Sequence, residues 1–233
     1  MFSKLIFKPF LLSSTILSVL FFSSSSNASN VIIPSEEISS YCKLVGCDNQ
    51  IFYKYHKKKS EWFCKERNYI LGNEKASSTF LYLLKEVKRS GLPLTSSILP
   101  IIESSLNPNA VANNSTRKNA AKGLWQLVPS TARDMGLVVK GDVDQRLDVE
   151  LSTKAGIKYI KMLEKRYDGD HNLAILAYHS GLGRVERTMK RYNTRNPWFI
   201  SKLFSDASPD ENYLLKYYSY SLALMNKGCV YEN

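Results

Sequence analysis

From Asn73 onward, apolar residues recur at helical spacing almost throughout the chain. Asn73 is placed to cap a helix that carries Phe80, Leu83, Leu84 and Val87 on one side and stops at Gly91. Thr95 or Ser96 suits the cap of a second helix through Ile98, Ile101 and Ile102, halted near Asn107-Pro108. Pro129 fits the first turn of another, which Gly136 closes. Asp148 opens a longer helix in which Leu151, Ala155, Tyr159 and Leu163 recur every four residues, ending at Asp168-Gly169-Asp170. Asn172 is expected to cap a short helix from Leu173 to His179 that ends at Gly181. The last helix is expected to start at Ser208-Pro209-Asp210-Glu211, with Ser as cap, Pro in the first turn and Glu closing a capping box. It runs to about Lys227, with Gly228 as its stop. No strand alternation is convincing and no segment repeats, so the pattern predicts an all-α fold.

The N-terminal part differs in texture. Residues 1–28 have the order of a secretory signal peptide: Lys4 and Lys8, an apolar run from Phe10 to Phe22, then Ser26-Asn27-Ala28 as a small-residue cleavage site. The run is shorter than the roughly 18 apolar residues of a membrane span. No cysteine follows it closely. Residues 29–72, with Ser-rich and Lys-rich patches such as Lys57-Lys58-Lys59, suggest an N-terminal extension, leaving 73–233 as the main domain.

Composition narrows the chemistry. The chain has 233 residues with 32 Lys+Arg against 21 Asp+Glu, a net charge of +11 that becomes +9 once residues 1–28 are removed. Four cysteines, Cys42, Cys47, Cys64 and Cys229, fit two disulfides in an exported chain, and Cys42–Cys47 with Cys64–Cys229 is the favoured pairing. With three histidines, none at zinc-motif spacing from the cysteines, no metal or other cofactor is expected. There is no phosphate-cradling glycine loop, and Gly181-Leu182-Gly183 lacks the third glycine and the preceding strand of a dinucleotide site. His179 and Ser180 are helical neighbours that point apart, so they form no nucleophile–base couple.

One carboxylate stands out. Glu103 ends the apolar run Leu99-Pro100-Ile101-Ile102, near the negative end of its helix. That end and its apolar neighbours both favour the protonated form that a general acid needs near neutral pH. A surface Glu on the wet side of the helix is the plain alternative.

Glu103-Ser104-Ser-Leu-Asn-Pro108, then Gly123-Leu-Trp125-Gln126 with Pro129-Ser-Thr, then Ala177-Tyr178-His179-Ser180-Gly181-x-Gly183-Arg184-Val185 form three blocks in order. In these blocks, between Phe80 and Leu224, the chain resembles the lytic transglycosylases of the lysozyme superfamily, especially the membrane-bound lytic murein transglycosylase D type. The resemblance implies a lysozyme-like domain in which Glu103 is the sole catalytic acid/base. It implies that Gln126 lines the sugar groove, that Tyr178 stands beside the catalytic centre, and that Glu211 opens the last helix and supports the site. Ser104 and Tyr217 complete the implied substrate-binding set, although Tyr217 sits somewhat further along than the family spacing. Each also has a plain role: Gln126 as a loop hydrogen-bonder, Tyr178 as a core aromatic, Glu211 as a helix cap, Ser104 as the end of its helix, and Trp125 as packing. Three departures are visible. The Glu103–Gly123 loop is longer and carries Asn113 to Lys118, where only Ser115 is a candidate groove serine. His179 replaces the usual Asn. The sequence ends at Asn233 without the cell-wall-binding repeats often attached to this type.

The expectation is an exported, periplasmic or envelope enzyme that cleaves peptidoglycan strands to 1,6-anhydro ends. Most glycosidases divide the work between two carboxylates. Here no acid follows Glu103 until Asp134, although Asp142, Asp144 or Asp148 could fold back. The alternatives are a goose-type hydrolytic muramidase and a non-catalytic glycan-binding or assembly protein. Nucleic acid is not an expected partner, since no base-stacking module is recognisable. The net positive charge suits peptidoglycan carboxylates and peripheral contact with anionic envelope surfaces.

Overall fold

The computed structural model describes residues 42–112, 119–205 and 211–224. The signal-like segment 1–28, Ser115, Ser208, Cys229 and the expected helix end near Lys227 lie outside them.

The elements run α1 (Asn49–Gly72), α2 (Glu74–Ser90), α3 (Leu99–Ser104), α4 (Pro129–Asp134), β1 (Val139–Lys140), β2 (Val143–Asp144), α5 (Val149–Arg166), α6 (His171–Ser180), α7 (Leu182–Tyr192), α8 (Pro197–Phe204) and α9 (Tyr213–Leu224). Among the described residues the fold is all-α apart from isolated bridges of Lys122 to Val111 and Leu127 and the two-residue antiparallel ladder of β1 and β2, which pairs Val139 with Asp144 and Lys140 with Val143.

Local chemistry sets several boundaries as expected. The Asn73 side chain accepts from the Ala76 amide at 2.9 Å, and Gly91 ends α2 in the left-handed region at φ 80°. Pro129 occupies the first turn of α4, and Asp148 caps α5 through the Leu151 amide at 2.8 Å. Within α5 the buried stripe is Ser152, Thr153, Ala155, Gly156, Ile160 and Leu163. Leu151 and Tyr159 flank it half-buried, because a strict four-residue repeat drifts around a helix of 3.6 residues per turn.

Other boundaries differ from expectation. Thr95 and Ser96 cap nothing: they lie inside a 3₁₀ segment, Leu94–Ile98, that leads straight into α3. Helix α6 is capped by Asp170, whose carboxylate accepts from the Leu173 amide at 3.0 Å. Asn172, the expected cap, donates to the Val45 carbonyl at 3.2 Å and accepts from the Tyr218 hydroxyl. The α9 cap is Asn212, which accepts from the Leu215 amide at 3.1 Å and from the Ser201 hydroxyl at 2.7 Å. Helices α7 and α8, and the 24-residue α1 within the expected extension, carried no predicted element.

Two helices form the centre. Ten of the first eleven residues of α9 are buried, as are Leu173 to Ala177 of α6, the pattern of helices enclosed on every side. Helix α9 packs against α1, α6, α8 and the 3₁₀ segment, while α5 and α7 cover α6. At the α1–α9 contact the Tyr220 ring meets Trp62 and Phe63 edge-on, with centroids 5.3 and 4.8 Å apart. The Cys42–Cys47 disulfide closes a short loop, and the Val45 carbonyl within it also accepts the Trp198 indole N–H at 3.0 Å. Cys64 is disulfide-bonded as well.

Candidate active site

Helix α3 is short because two consecutive left-handed residues, Ser105 at φ 50° and Leu106 at φ 60°, turn the chain just after Glu103 and Ser104. Their amides bond back to Ile101 and Pro100, which satisfies the last carbonyls and leaves Glu103 on the final turn. The Ser104 hydroxyl lies 2.8 Å from both the Pro100 and the Leu124 carbonyl oxygens, so it joins the end of α3 to the Leu124-Trp125-Gln126 segment. The Tyr178 hydroxyl, from the end of α6, holds the same segment by donating to the Trp125 carbonyl at 2.5 Å.

That segment is fixed from below. Trp125 is fully buried, its indole N–H donates to Thr153 at 3.0 Å, and its ring lies so close to Gly156 that a Cβ there would come within 2.4 Å. Gly123, at φ 80°, passes so near the Arg146 carbonyl that a Cβ would sit 1.8 Å from it. Buried Arg146 donates from one guanidinium nitrogen to the Ala120 and Leu127 carbonyls at 2.7 and 3.0 Å, and makes a two-point contact with Asp144 at 2.8 and 2.6 Å. The Asp144 carboxyl is held below its ordinary range, chiefly by the hydrogen bond from Arg146 and against the opposing effect of burial. The long loop is pinched at its base, where the Ala112 amide bonds to Ala121 and the Gly123 amide to Ala110.

Gln126 adopts φ 46°, a conformation that costs a non-glycine residue about 1–3 kcal/mol. Its amide nitrogen offsets this by donating to the Gly123 and Ala110 carbonyls at 2.8 and 3.1 Å. With both donors committed to carbonyls, the amide oxygen is the atom left for a ligand.

Around Glu103, the Tyr213 hydroxyl at the start of α9 donates to Oε1 at 2.6 Å. The His179 ring stacks on the Tyr213 ring, with centroids 3.8 Å apart, and places Nδ1 3.6 Å from the same oxygen. The hydroxyls of Tyr178 and Tyr213 are pushed well up, first by burial and then by the charge of Glu103. Burial pulls the Lys216 ammonium down, an effect the charges of Glu103 and Glu66 oppose. The tyrosines therefore stay protonated hydrogen-bond donors beside the carboxylate.

Three expected residues, Ser104, Gln126 and Tyr178, are thus tied to one backbone segment, and Glu103 precedes Ser104 on the final turn of α3. Two are not. Glu211 is exposed and makes no hydrogen bond or ion pair among the described residues. Tyr217 is buried with its hydroxyl 3.1 Å from His171 Nε2, and His171 Nδ1 lies 2.7 Å from Glu164. Tyr213, one turn earlier on the same helix face, reaches Glu103 instead. Of the acids that might have folded back, Asp144 binds Arg146, Asp148 caps α5, and Asp142 is exposed. Among the described residues no group of three potential ligands could hold a metal ion, and no helix is long and apolar enough to cross a membrane.

The transglycosylase SLT domain family matches residues 84–200. Over 134 residues the chain is 34% identical to the membrane-bound lytic murein transglycosylase D of Escherichia coli (strain K12), a match covering 57% of this chain and 28% of that protein. Over 69 residues it is 39% identical to the peptidoglycan transglycosylase gp16 of Escherichia phage T7, covering 29% of this chain and 5% of that one. An inactive variant of the lytic transglycosylase Slt from Pseudomonas aeruginosa superposes on 62% of this chain and 23% of its own, with 25% identity and a TM-score of 0.48. The chain therefore spans little more than a quarter of the first of these relatives. It belongs to the transglycosylase SLT domain family.

Proposed function

We propose that this SLT-domain protein is an exported peptidoglycan lytic transglycosylase, which cleaves the β-1,4 bond between N-acetylmuramic acid and N-acetylglucosamine without water. The observation that carries this reading is a carboxylate, Glu103, held by a tyrosine hydroxyl while Asp144 and Asp148 are committed to Arg146 and to the cap of α5. Tyr213 bonds to Oε1, which leaves Oε2 to carry the proton. In the first step Oε2 gives that proton to the glycosidic oxygen, the C1–O bond breaks, and positive charge builds on the muramoyl ring. The Tyr213 hydrogen bond steadies the resulting carboxylate. In the second step the carboxylate removes the proton of the muramoyl 6-hydroxyl, whose oxygen closes on C1 to form the 1,6-anhydro ring. Glu103 ends protonated, as it began. The nucleophile belongs to the substrate, so the second carboxylate of ordinary glycosidases has no task here.

Gln126 offers its amide oxygen to a sugar hydroxyl or amide, and Ser104 and Tyr178 fix the backbone that presents it. The signal-like residues 1–28 and the Cys42–Cys47 disulfide support export to an oxidising compartment. Arg184, Arg187, Lys190 and Arg191 share the exposed face of α7 with no ion pair among the described residues, which supports contact with anionic envelope surfaces. Mass spectrometry of the fragments released from purified peptidoglycan tests the reading. Products one water lighter than the hydrolytic ones, without a reducible end, are expected. Reducing muramic ends would instead identify a hydrolytic muramidase.

A further inference from the structure

The reaction scheme leaves unused the titratable side chain next to Glu103. His179 stacks on Tyr213 with ring planes 12° apart, and its Nδ1 lies 3.6 Å from the Glu103 oxygen that accepts the Tyr213 hydroxyl. At that distance the contact is too long for a hydrogen bond but is the separation of an ion pair whenever the imidazole is charged. The His179 side chain is 45% exposed against 18% for Glu103, so it is the more open of the two to solvent. Among the described residues, the titratable groups that feel the charge of Glu103 are Tyr213 and Lys216 from α9 and Tyr178 from α6. The two tyrosines are kept neutral by burial and by the charge of Glu103. Imidazole is the side-chain type whose charge changes between pH 5 and 8.

We propose that His179 is a positioning residue that gates Glu103 by its own charge: neutral, it backs Tyr213 against the carboxylate; protonated, it pairs with the carboxylate and slows cleavage. Two effects act in the same direction. An imidazolium beside Glu103 favours the ionised carboxylate over the acid that the first step consumes. It also adds a positive charge beside a sugar ring that itself becomes positive in the transition state. Asparagine, which the resembled family pattern carries at this position, can do neither. The inference rests on the glycan-cleaving reading of Glu103.

The test is fragment release from purified peptidoglycan at closely spaced values from pH 5 to pH 8, for the wild type, His179→Asn and His179→Phe, each checked for folding by circular dichroism. Phenylalanine keeps a ring stacked on Tyr213 but carries no charge, so it separates packing from electrostatics. The rate of each variant relative to the wild type is expected to rise about fivefold from pH 8 to pH 5, the effect of one unit charge about 4 Å away in water. A ratio that stays constant with pH would reduce His179 to packing and overturn the proposal. A ratio that falls toward pH 5 would reverse its sign and overturn it equally. A folded wild type that releases nothing at any pH would overturn the glycan-cleaving reading itself, and this inference with it.

Discussion

Gly156→Ala is a one-carbon change on the far side of α5 from solvent that should reach the active site. The added Cβ would lie 2.4, 2.5 and 2.9 Å from three ring atoms of Trp125, where ordinary contact begins near 3.4 Å. Trp125 is fully buried and its indole N–H is bonded to Thr153, so ring and helix have to separate by about 1 Å. Overpacking of this kind costs about 1–3 kcal/mol, and a contact with three atoms of a fixed ring belongs at the upper end. Alanine returns about 1 kcal/mol through its higher helix propensity. The net loss is about 2 kcal/mol, or roughly 4–8 °C in Tm for a chain of this size. The Trp125 carbonyl receives the Tyr178 hydroxyl and Gln126 follows directly, so a displacement of this size should lower activity about tenfold to a hundredfold. Urea unfolding followed by circular dichroism gives the stability and fragment release gives the rate. Gly72→Ala is the control, because a Cβ there meets nothing within 4 Å and propensity alone should make it neutral or slightly stabilising. A Gly156→Ala protein as stable as the wild type would refute the reasoning.

Tyr213→Phe removes the hydroxyl that steadies the Glu103 carboxylate and should lower kcat about ten- to a hundredfold, as expected for a hydrogen bond to a charged group. Tyr217→Phe should affect stability more than kcat, which steady-state rates and thermal melts of the two variants together would show. Asp144→Asn breaks the two-point contact with buried Arg146 and should cost about 3 kcal/mol at neutral pH, measured by urea unfolding. The folded-state pKa of Asp144 lies below its ordinary 3.8, so its stabilisation is complete above that value and is lost as pH falls through the folded-state one. The wild type should therefore lose stability more steeply than Asp144→Asn in this acid range, and parallel curves would remove Asp144 from the explanation.

The sequence revealed elements where the chain carries its own stop and start signals. Asn73 and Gly91 bracket α2, and Pro129 and Asp148 open α4 and α5, because each signal acts within one turn of its own backbone. Helix α1 was obscured because its buried side mixes aromatics with His56, Ser60 and Cys64 while lysines crowd the other side. Helix α7 does carry an apolar stripe, with Leu182 and Met189 packed against the core beside buried Val185, but it begins directly at Gly181, which locally signals the stop of α6 rather than a new start. The start of α9 is not legible locally, because its cap, Asn212, is also held by Ser201 across eleven residues of chain, a partner that local pattern cannot supply. The site divides in the same way. Glu103, Ser104, Gln126 and Tyr178 lie in compact blocks that resemble a family, and their backbone contacts bring them together. Tyr213 reaches Glu103 across 110 residues, from a helix where Tyr213, Tyr217, Tyr218 and Tyr220 are all buried. Only packing decides which of these tyrosines meets the carboxylate. The long polar loop was a visible departure, but Arg146, which clasps its base from Ala120 to Leu127, gave no local signal.

The central claim is that one carboxylate carries both proton transfers. Glu103→Gln keeps the size and shape of the side chain and an oxygen for Tyr213, but it can neither give nor take the proton. The decisive measurement is fragment release from purified peptidoglycan by wild type and Glu103→Gln at equal concentration, with folding and pelleting on peptidoglycan measured on the same samples. The account predicts a loss of at least about 10²–10⁴-fold in rate with folding and pelleting retained. Turnover close to that of the wild type by a folded Glu103→Gln protein would contradict it.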